Sequence, residues 1–266
     1  TSIYLSLHEK MKLRDLVYGL LLRSGNDASV VIATYLAGSE EEFVNRMNKK
    51  AKELGMYNTT FQNAHGLDEE TKNYSTAHDM ALLSRYVYKN YKEYRTITKT
   101  YKYQVQTKEK SYLWYNRNKL LKQYSYCTGG KNGYTPSAGK TLVTTASKDN
   151  LNLTIVTLKD ANEYNTHKEL YETMFNKYKY YKLIDKKKIN LGNDKYIKEN
   201  FTYPLTEDEK EHINIETKID ESIKKGKIGY ISIKLYQKEI GNIKIYLKES
   251  KKKKLFSFLT KNILHH

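Results

Sequence analysis

The sequence predicts an α+β fold in which helices pack on an antiparallel sheet, followed by a smaller all-β region. Three observations support this prediction. Apolar residues recur every three or four positions through much of residues 11–91, as in helices with one buried face. Between residues 101 and 158 the pattern changes to the alternation of strands. From residue 182 onward no long helical pattern returns before the C-terminal tail.

The first helical stretch, residues 11–37, carries an internal polar break. One face of its first half is apolar, with Leu13, Leu16, Val17, Leu20 and Leu21 at helical spacing. Residues 23–27 interrupt the pattern, and an apolar run resumes over residues 28–36. Two helices separated by a short polar turn are therefore expected.

Two further helices are predicted in this first part. Ser39 and Glu42 have the spacing of a capping box, so a helix should begin there and run to Gly55. Residues 58–67 are expected to form a loop. The next helix should run from residue 75 or 76 to about 91, with Met80, Leu83 and Val87 on its buried side.

Strands are predicted after residue 91. Residues 101–107 alternate, and residues 141–146 and 151–158 indicate two adjacent strands joined by a turn at 147–150. A helix over residues 162–181 should close a first domain of residues 1–181. Strands at 228–236 and 240–247, with a turn at 237–239, indicate a small β domain over residues 182–250.

The C-terminal tail, residues 251–266, has a composition of its own. Four lysines, 251–254, precede apolar residues that share a face of a short helix: Leu255, Phe256, Phe258, Leu259, Ile263 and Leu264. This pattern is typical of a membrane-surface anchor on anionic lipid. A solvated terminus is the alternative interpretation.

Composition excludes several classes of protein. No apolar run is long enough to cross a membrane, and the single cysteine, Cys127, excludes a disulfide framework or a cysteine-ligated metal site. We expect Cys127 to pack as a small apolar residue. The net charge of +17 invites a nucleic-acid interpretation, but 41 of the 47 basic residues are Lys. Because Arg is preferred for contacts to phosphates and guanine, nucleic-acid binding is disfavoured.

Short motifs are more informative than composition. Ser24-x-Asn26 falls in the break between the first two helices, and Lys131-x-Gly133 precedes a predicted strand. Each is weak alone, since Ser-x-Asn also makes a good helix cap. With His65-Gly66-Leu67-Asp68 and the Tyr-Ser-Thr-Ala run at 74–77, they resemble the D-alanyl-D-alanine carboxypeptidases, the low-molecular-mass penicillin-binding proteins of serine peptidase family S11.

The resemblance implies a fold and a reaction. The fold would be a penicillin-binding protein/β-lactamase-like transpeptidase domain, a helical lobe on an antiparallel sheet, with a small all-β domain after it. In the family, a serine attacks the carbonyl between the terminal D-alanines of a peptidoglycan stem peptide, and the acyl-enzyme is hydrolysed. Ser24 then corresponds to a proton-relay serine, and Asn26 to the asparagine that hydrogen-bonds the substrate amide. No cofactor or metal is implied.

Substrate-binding positions follow from the same resemblance. Lys131 corresponds to the cation that holds the terminal carboxylate, and Gly133 to a position that lets substrate lie along the strand edge. Asn132 and Tyr134 complete this stretch. Asn132 departs from the family, which has Thr or Ser there, so carboxylate binding is expected to weaken. His65 lies at most at the rim, where a structural role is the stronger expectation.

The nucleophile motif is the second departure. Ser-x-x-Lys occurs at Ser137/Lys140, Ser222/Lys225 and Ser250/Lys253, about as often as chance predicts and always after Ser24. The family's motif opens a helix before the Ser-x-Asn motif. We therefore expect the chain to be N-terminally truncated, with signal peptide and Ser-x-x-Lys upstream of Thr1, and to be inactive alone.

The predicted partners are stem peptides ending in D-Ala-D-Ala, β-lactam antibiotics and, through residues 251–264, an anionic membrane surface. The predicted location is the extracytoplasmic face of a bacterial cell membrane. The main alternative is a degenerate, non-catalytic module that binds peptidoglycan or a partner. A β-lactamase is disfavoured because no loop carboxylate that activates a deacylating water can be assigned, and no nucleic-acid partner is expected.

Overall fold

The computed structural model describes residues 1–248, which form two compact units. The first runs from Thr1 to Met174 and the second begins at Phe175. This division lies inside a helix, ahead of the domain boundary that the sequence suggests after residue 181. The tail, residues 251–266, lies outside the described residues. In the part of the chain that is described, no helix is long and apolar enough to cross a membrane.

Both helices and antiparallel sheets are present, so the predicted α+β class is confirmed. The helices are α1 (Leu13–Arg23), α2 (Asn26–Ala37), α3 (Glu40–Glu53), α4 (Ala77–Asn90), α5 (Lys92–Lys99), α6 (Leu120–Gln123), α7 (Glu163–Lys177) and α8 (Glu207–Glu211). The strands are β1 (Lys102–Gln106), β2 (Ser111–Tyr115), β3 (Cys127–Thr135), β4 (Gly139–Lys148), β5 (Leu151–Leu158), β6 (Lys179–Ile184), β7 (Lys195–Ile197), β8 (Phe201–Leu205), β9 (Ile213–Ile219), β10 (Lys227–Leu235) and β11 (Lys238–Leu247).

An apolar core fixes the first two helices against the β1–β2 hairpin. It contains Leu16 and Leu22 from α1, Ile32 from α2 and Trp114 from β2. Tyr18 of α1 stacks on Tyr103 of β1, with ring centroids 3.6 Å apart. This packing rigidly positions the junction between α1 and α2.

The starts of α3 and α4 differ in detail from their predictions. Ser39 accepts a hydrogen bond from the Glu42 N–H, but the reciprocal bond of a capping box is not among the described contacts. Glu40 instead accepts a bond from the Ala64 N–H, tying α3 to the following loop. In α4 the deeply buried residues are Asp79 and Ser84, whereas the predicted buried positions are only half-buried. The helix is therefore less apolar at its core than its pattern indicates.

The first unit contains a three-stranded antiparallel sheet in the order β3-β4-β5. Lys131 precedes β4, the strand predicted at 141–146, but it also lies within β3, a strand that was not predicted, opposite Val143 of β4. Neither α5 nor β2 was predicted, and α7 ends earlier than predicted, since β6 begins at Lys179.

Two glycines allow close packing around β3, Gly129 against α5 and Gly130 against β4. Gly129 and Gly130 have φ of +148° and +146°, backbone conformations that favour glycine. A Cβ on Gly129 would come within 2.3 Å of Thr98 Oγ1, and one on Gly130 within 2.2 Å of the Val143 carbonyl oxygen. These contacts fix the backbone just before Lys131.

The second unit is built from a two-stranded sheet, β6-β8, and a four-stranded antiparallel sheet in the order β7-β11-β10-β9. Its core is mainly isoleucine, with Ile231, Ile233 and Ile245 fully buried. The predicted strands at 228–236 and 240–247 correspond to β10 and β11.

Candidate active site

Ser24 occupies the junction between α1 and α2. It is the C-cap of α1 and adopts the left-handed conformation, with φ +58°. Its N–H donates to the Leu20 carbonyl, and the next N–H, of Gly25, donates to Gly19. A non-glycine residue in this conformation is strained by roughly 1 kcal/mol. The turn thus fixes the backbone of Ser24 between the two helices.

Asn26 begins α2 directly after this turn. Its N–H donates to the Thr1 carbonyl, and its own carbonyl accepts a bond from the Ser29 hydroxyl. The neighbouring Asp27 accepts bonds from the N–H groups of Ile3 and Leu5, which tether the N-terminal segment. Burial alone would raise the pKa of Asp27, but these hydrogen bonds bring it below its ordinary value.

Lys131 reaches Ser24 across the fold. The Lys131 ammonium donates to Ser24 Oγ and to the carbonyl oxygen of Asn132. The two residues are 107 positions apart, so their contact is made by tertiary structure alone. Burial, and secondly the charge of Arg117, lower the pKa of Lys131 to about 8. The ammonium can therefore give up or hold a proton near neutral pH.

Arg117 is a functional candidate that was not predicted from the sequence. Its N–H donates to the Leu22 carbonyl in the last turn of α1, and its guanidinium donates to Thr1 Oγ1 at 3.0 Å. The Arg117 carbonyl accepts a bond from the Tyr164 hydroxyl. Arg117 lies close enough to Lys131 to depress its pKa, so the two cations share one region of the surface. No sequence pattern around residue 117 indicates a functional role for this arginine.

Strand β3 carries the remaining predicted residues. It pairs with β4 on one side, and its other edge has no strand partner among the described residues. Tyr134 is 70% exposed on this strand. Gly133 lies opposite Thr141 of β4, and a Cβ there would come within 2.7 Å of Thr141 Oγ1. Packing against β4 is thus a second reason for glycine at position 133.

His65 and Asp68 belong to the loop between α3 and α4. His65 Nδ1 accepts a bond from the Leu67 N–H, and its Nε2 lies 3.7 Å from Glu40 Oε1. These contacts describe a structural histidine, as expected. Asp68 accepts a bond from Ser137 in the β3–β4 turn. The loop is therefore attached to the end of the strand that carries Lys131.

The described Ser-x-x-Lys matches lie in other settings. Ser137 is in the β3–β4 turn, and Lys140 pairs with Glu163. Ser222 precedes β10 in the second unit and donates to Asp220. Neither serine opens a helix, while Ser250 and Lys253 lie outside the described residues. Cys127 is buried, which raises the pKa of its thiol and fits its predicted packing role.

The structure thus brings Ser24 and Lys131 into direct contact and places Asn132 beside them through its carbonyl. Neither Asn26 nor the Asn132 side chain has a described hydrogen bond to this pair. The grouping provides two cations, a hydroxyl that can exchange a proton with Lys131, and a strand edge with no strand partner among the described residues. Such a grouping can hold an extended peptide that ends in a carboxylate.

Comparison with known proteins gives a consistent set of similarities. A family model described as D-alanyl-D-alanine carboxypeptidase, Peptidase_S11, matches residues 1–162. The chain is 34% identical to D-alanyl-D-alanine carboxypeptidase DacF of Bacillus subtilis, over 95% of this chain and 70% of DacF. It is 38% identical to D-alanyl-D-alanine carboxypeptidase DacC of Escherichia coli, over 59% of this chain but only 38% of DacC.

The fold is also shared with solved structures. Penicillin binding protein 5 from Haemophilus influenzae superposes with a TM-score of 0.74, covering 94% of this chain and 77% of that one. The sequence identity in this comparison is 24%, so it speaks for the fold alone. The fold similarity covers both units, whereas the family match ends at residue 162.

Proposed function

Because this chain belongs to the D-alanyl-D-alanine carboxypeptidases of peptidase family S11, we propose that it binds penicillins and takes part in the serine-type hydrolysis of stem peptides ending in D-Ala-D-Ala. The observation that carries this proposal is the contact between Lys131 and Ser24, which joins two motifs of the family across 107 residues.

The geometry suits the two ends of such a substrate. The terminal carboxylate would bind the Lys131 and Arg117 cations, and the peptide would add to the free edge of β3. When the bond between the two D-alanines breaks, the departing nitrogen needs a proton. Ser24 can deliver its hydroxyl proton and recover one from Lys131, whose pKa of about 8 suits this exchange.

Asn26 and Asn132 are assigned by family position. Asn26 would accept or donate a hydrogen bond to the substrate amide. Asn132 offers an amide N–H where relatives offer a hydroxyl, so it can still bind the carboxylate, with altered geometry and weaker affinity. Tyr134, exposed on the same strand, would border the bound peptide.

The acyl-enzyme step requires a nucleophilic serine and a base. Neither described Ser-x-x-Lys match opens a helix or has a hydrogen bond to Lys131, which supports the proposal that residues 1–266 alone do not form an acyl-enzyme. This observation also favours a second candidate, a non-catalytic module that binds stem peptides without cleaving them.

The wider setting follows from the same proposal. Residues 1–181 would be the peptidase domain and residues 182–250 the β domain, with β-lactams as inhibitors. The protein would act at the extracytoplasmic face of the cell membrane, held through residues 251–264. Nucleic acid is not a proposed partner.

Equilibrium binding of an acyl-D-Ala-D-Ala peptide tests the site without requiring turnover. We expect the full chain to bind this peptide and to bind its C-terminal amide at least about tenfold more weakly, because the amide lacks the charge that Lys131 and Arg117 attract. Lys131→Met should weaken binding of the free acid by a similar factor and leave the amide unaffected.

Lys140→Met is the matched control, because Lys140 lies on the adjacent strand and pairs with Glu163 instead. Equal affinity for acid and amide, or equal losses in the two methionine variants, would show that the Ser24–Lys131 grouping does not bind the carboxylate.

A further inference from the structure

The four-stranded sheet of the second unit has two chemically different faces. One face packs in the core through isoleucines that are 5% exposed or less: Ile197, Ile231, Ile233, Ile243 and Ile245. Because side chains alternate along a strand, the residues between them point to the opposite face. We call this opposite surface the tyrosine–lysine face, and it comprises Tyr196, Lys218, Tyr230, Lys244 and Tyr246.

Strand register makes this face a continuous band. Tyr246 of β11 lies opposite Tyr196 of β7, and the two ring centroids are 5.7 Å apart. Tyr230 of β10 lies opposite Lys244 on one side and Lys218 on the other. Three aromatic rings and two ammonium groups therefore cross all four strands.

Lys198, which follows β7, adds a third lysine to this face, and Lys218 lies near enough to the Glu216 carboxyl to lower its pKa. Lys198 Nζ lies 4.3 Å from the centroid of the Tyr246 ring, and Lys218 Nζ lies 6.0 Å from that of Tyr230. Among the described residues neither forms a salt bridge, nor does Lys244. Lys234 on the same strand as Tyr230 is paired with Glu216 at 2.9 Å. Lys198 and Lys244 are thus left available to an external anion, and Lys218 is held by no salt bridge although Glu216 lies near it.

A hollow lies at one end of the band. It has a volume of about 340 Å³ and is lined by Lys218, Lys227 and Tyr230, by one acidic residue, Asp220, and by Gly229 and three isoleucines, Ile219, Ile223 and Ile228. A Cβ on Gly229 would come within 2.1 Å of the Lys218 carbonyl oxygen, so glycine here keeps the neighbouring strands close. The volume is at the lower limit of small-ligand sites and suits one ring-sized group.

We propose that the tyrosine–lysine face binds an anionic glycan strand. The C–H face of a sugar ring stacks on a flat aromatic ring, and carboxylates on the sugars would pair with Lys198, Lys218 and Lys244. Charge favours this occupant over nucleic acid, since all six arginines precede residue 118 and phosphate readers prefer Arg. A lipid surface is disfavoured because the band itself offers no aliphatic side chain for insertion, and the hollow beside it offers one exposed isoleucine, Ile223.

The choice of probe rests on the proposed function, although the face itself does not. The probe is peptidoglycan glycan freed of its stem peptides, which carries carboxylates, and its comparison is a neutral N-acetylglucosamine oligomer of equal length. We expect the full chain to bind the anionic glycan, with affinity that falls as salt rises, and to bind the neutral oligomer at least about tenfold more weakly.

Variants separate stacking from charge. Tyr246→Ala should weaken glycan binding about tenfold, whereas Tyr246→Phe, which keeps the ring, should bind within about twofold of the parent. The double variant Lys218→Gln/Lys244→Gln should lose the salt dependence and at least about threefold in affinity. Tyr180→Ala and Lys187→Gln, exposed positions of the same unit outside the band, are the matched controls and should bind normally.

Several results would overturn the inference. These are equal binding of anionic and neutral glycans, full binding by both Tyr246→Ala and the double lysine variant, or tighter binding of an oligonucleotide. Because residues 251–264 are themselves proposed to bind anionic lipid, vesicle binding counts against the inference only if Tyr246→Ala weakens it. Lys131→Met should bind the glycan normally, so a failed peptide site and a failed glycan face give different results. Thermal unfolding of each variant shows that it is folded.

Discussion

Ser24 and Lys131 illustrate how single side chains acquire chemistry from their surroundings. An exposed lysine holds its proton to about pH 10.4. Enclosing the Lys131 ammonium beside Arg117 lowers its pKa to about 8, because both burial and a like charge disfavour the protonated form. The hydroxyl of Ser24 accepts a hydrogen bond from this ammonium, so it contacts a group that can exchange protons near neutral pH.

Peptide binding should therefore depend on pH through Lys131. Below about pH 8 the ammonium carries its charge and attracts the substrate carboxylate, and above it the charge is lost. Affinity for an acyl-D-Ala-D-Ala peptide should fall above this value and level off at about a tenfold loss, the loss expected for Lys131→Met. Calorimetric titration between about pH 6 and pH 10 measures the effect.

Lys131→Arg supplies the control for this titration. Arginine keeps its charge over the whole range, so its profile should be flat even if its affinity is lower. A parent profile that stays level to about pH 10 would contradict the assigned pKa.

At the scale of elements, a buried polar network joins β4, β5 and α7. His167 of α7 is fully buried, with Nδ1 2.7 Å from Thr144 Oγ1 and Nε2 3.1 Å from Thr157 Oγ1. Thr144 Oγ1 also lies 2.8 Å from the Tyr171 hydroxyl. Burial lowers the pKa of His167 to about 4, despite an opposing effect of Asp160. The helix is thus attached to the sheet through a neutral imidazole.

This network predicts acid sensitivity of the fold. In unfolded chains histidine has a pKa of about 6.5, so between about pH 6.5 and pH 4 the unfolded state binds a proton that the folded state does not. The free energy of unfolding should fall by roughly 2 kcal/mol across this window. Urea unfolding at several pH values measures it.

His167→Gln keeps hydrogen-bonding groups but cannot titrate. We expect this variant to be less stable near neutral pH, with a flatter pH dependence between about pH 4 and pH 6.5. If parent and variant lost the same stability over that window, His167 would not be its source.

Elements with a strong apolar pattern were predictable, and contacts between distant elements were not. The periodicity of α1 and α2 and the alternation of β4 and β5 follow from the face each presents to the core. Strand β2 is short, and Gly129 and Gly130 interrupt the alternation of β3, so the strand that carries Lys131 gave no local signal. The family resemblance predicted that Ser24 and Lys131 belong to one site. The position of Arg117 near them became evident only from the three-dimensional structure.

For the whole molecule, the distribution of charge is more informative than its sum. Residues 1–90 contain 11 basic and 11 acidic residues, whereas residues 91–266 carry the entire net charge of +17. Lysine supplies most of it, and arginine is confined to the first 117 residues. The candidate site of the first unit thus combines a lysine with an arginine, whereas the tyrosine–lysine face of the second unit has lysine alone.

A protein consisting of residues 1–266 should not be labelled covalently by a fluorescent penicillin. The described Ser-x-x-Lys matches lie in a turn and in a loop of the second unit, where no contact to Lys131 is described. Gel electrophoresis after incubation, with an active family member as positive control, measures labelling. Stable labelling mapped to any serine would contradict this expectation, and labelling at Ser24 would assign it as a nucleophile activated by Lys131.

The left-handed conformation of Ser24 lowers the stability of the fold, whereas the side chain of Ser24 supplies a reactive group to the site. Glycine would adopt a φ of +58° without strain, so it is the residue that folding alone would choose there. A serine at this position costs roughly 1 kcal/mol and supplies the hydroxyl that contacts Lys131. A lineage released from its catalytic duty would be expected to drift toward glycine at residue 24, so the identity of this one residue is a marker of whether the site is still in use.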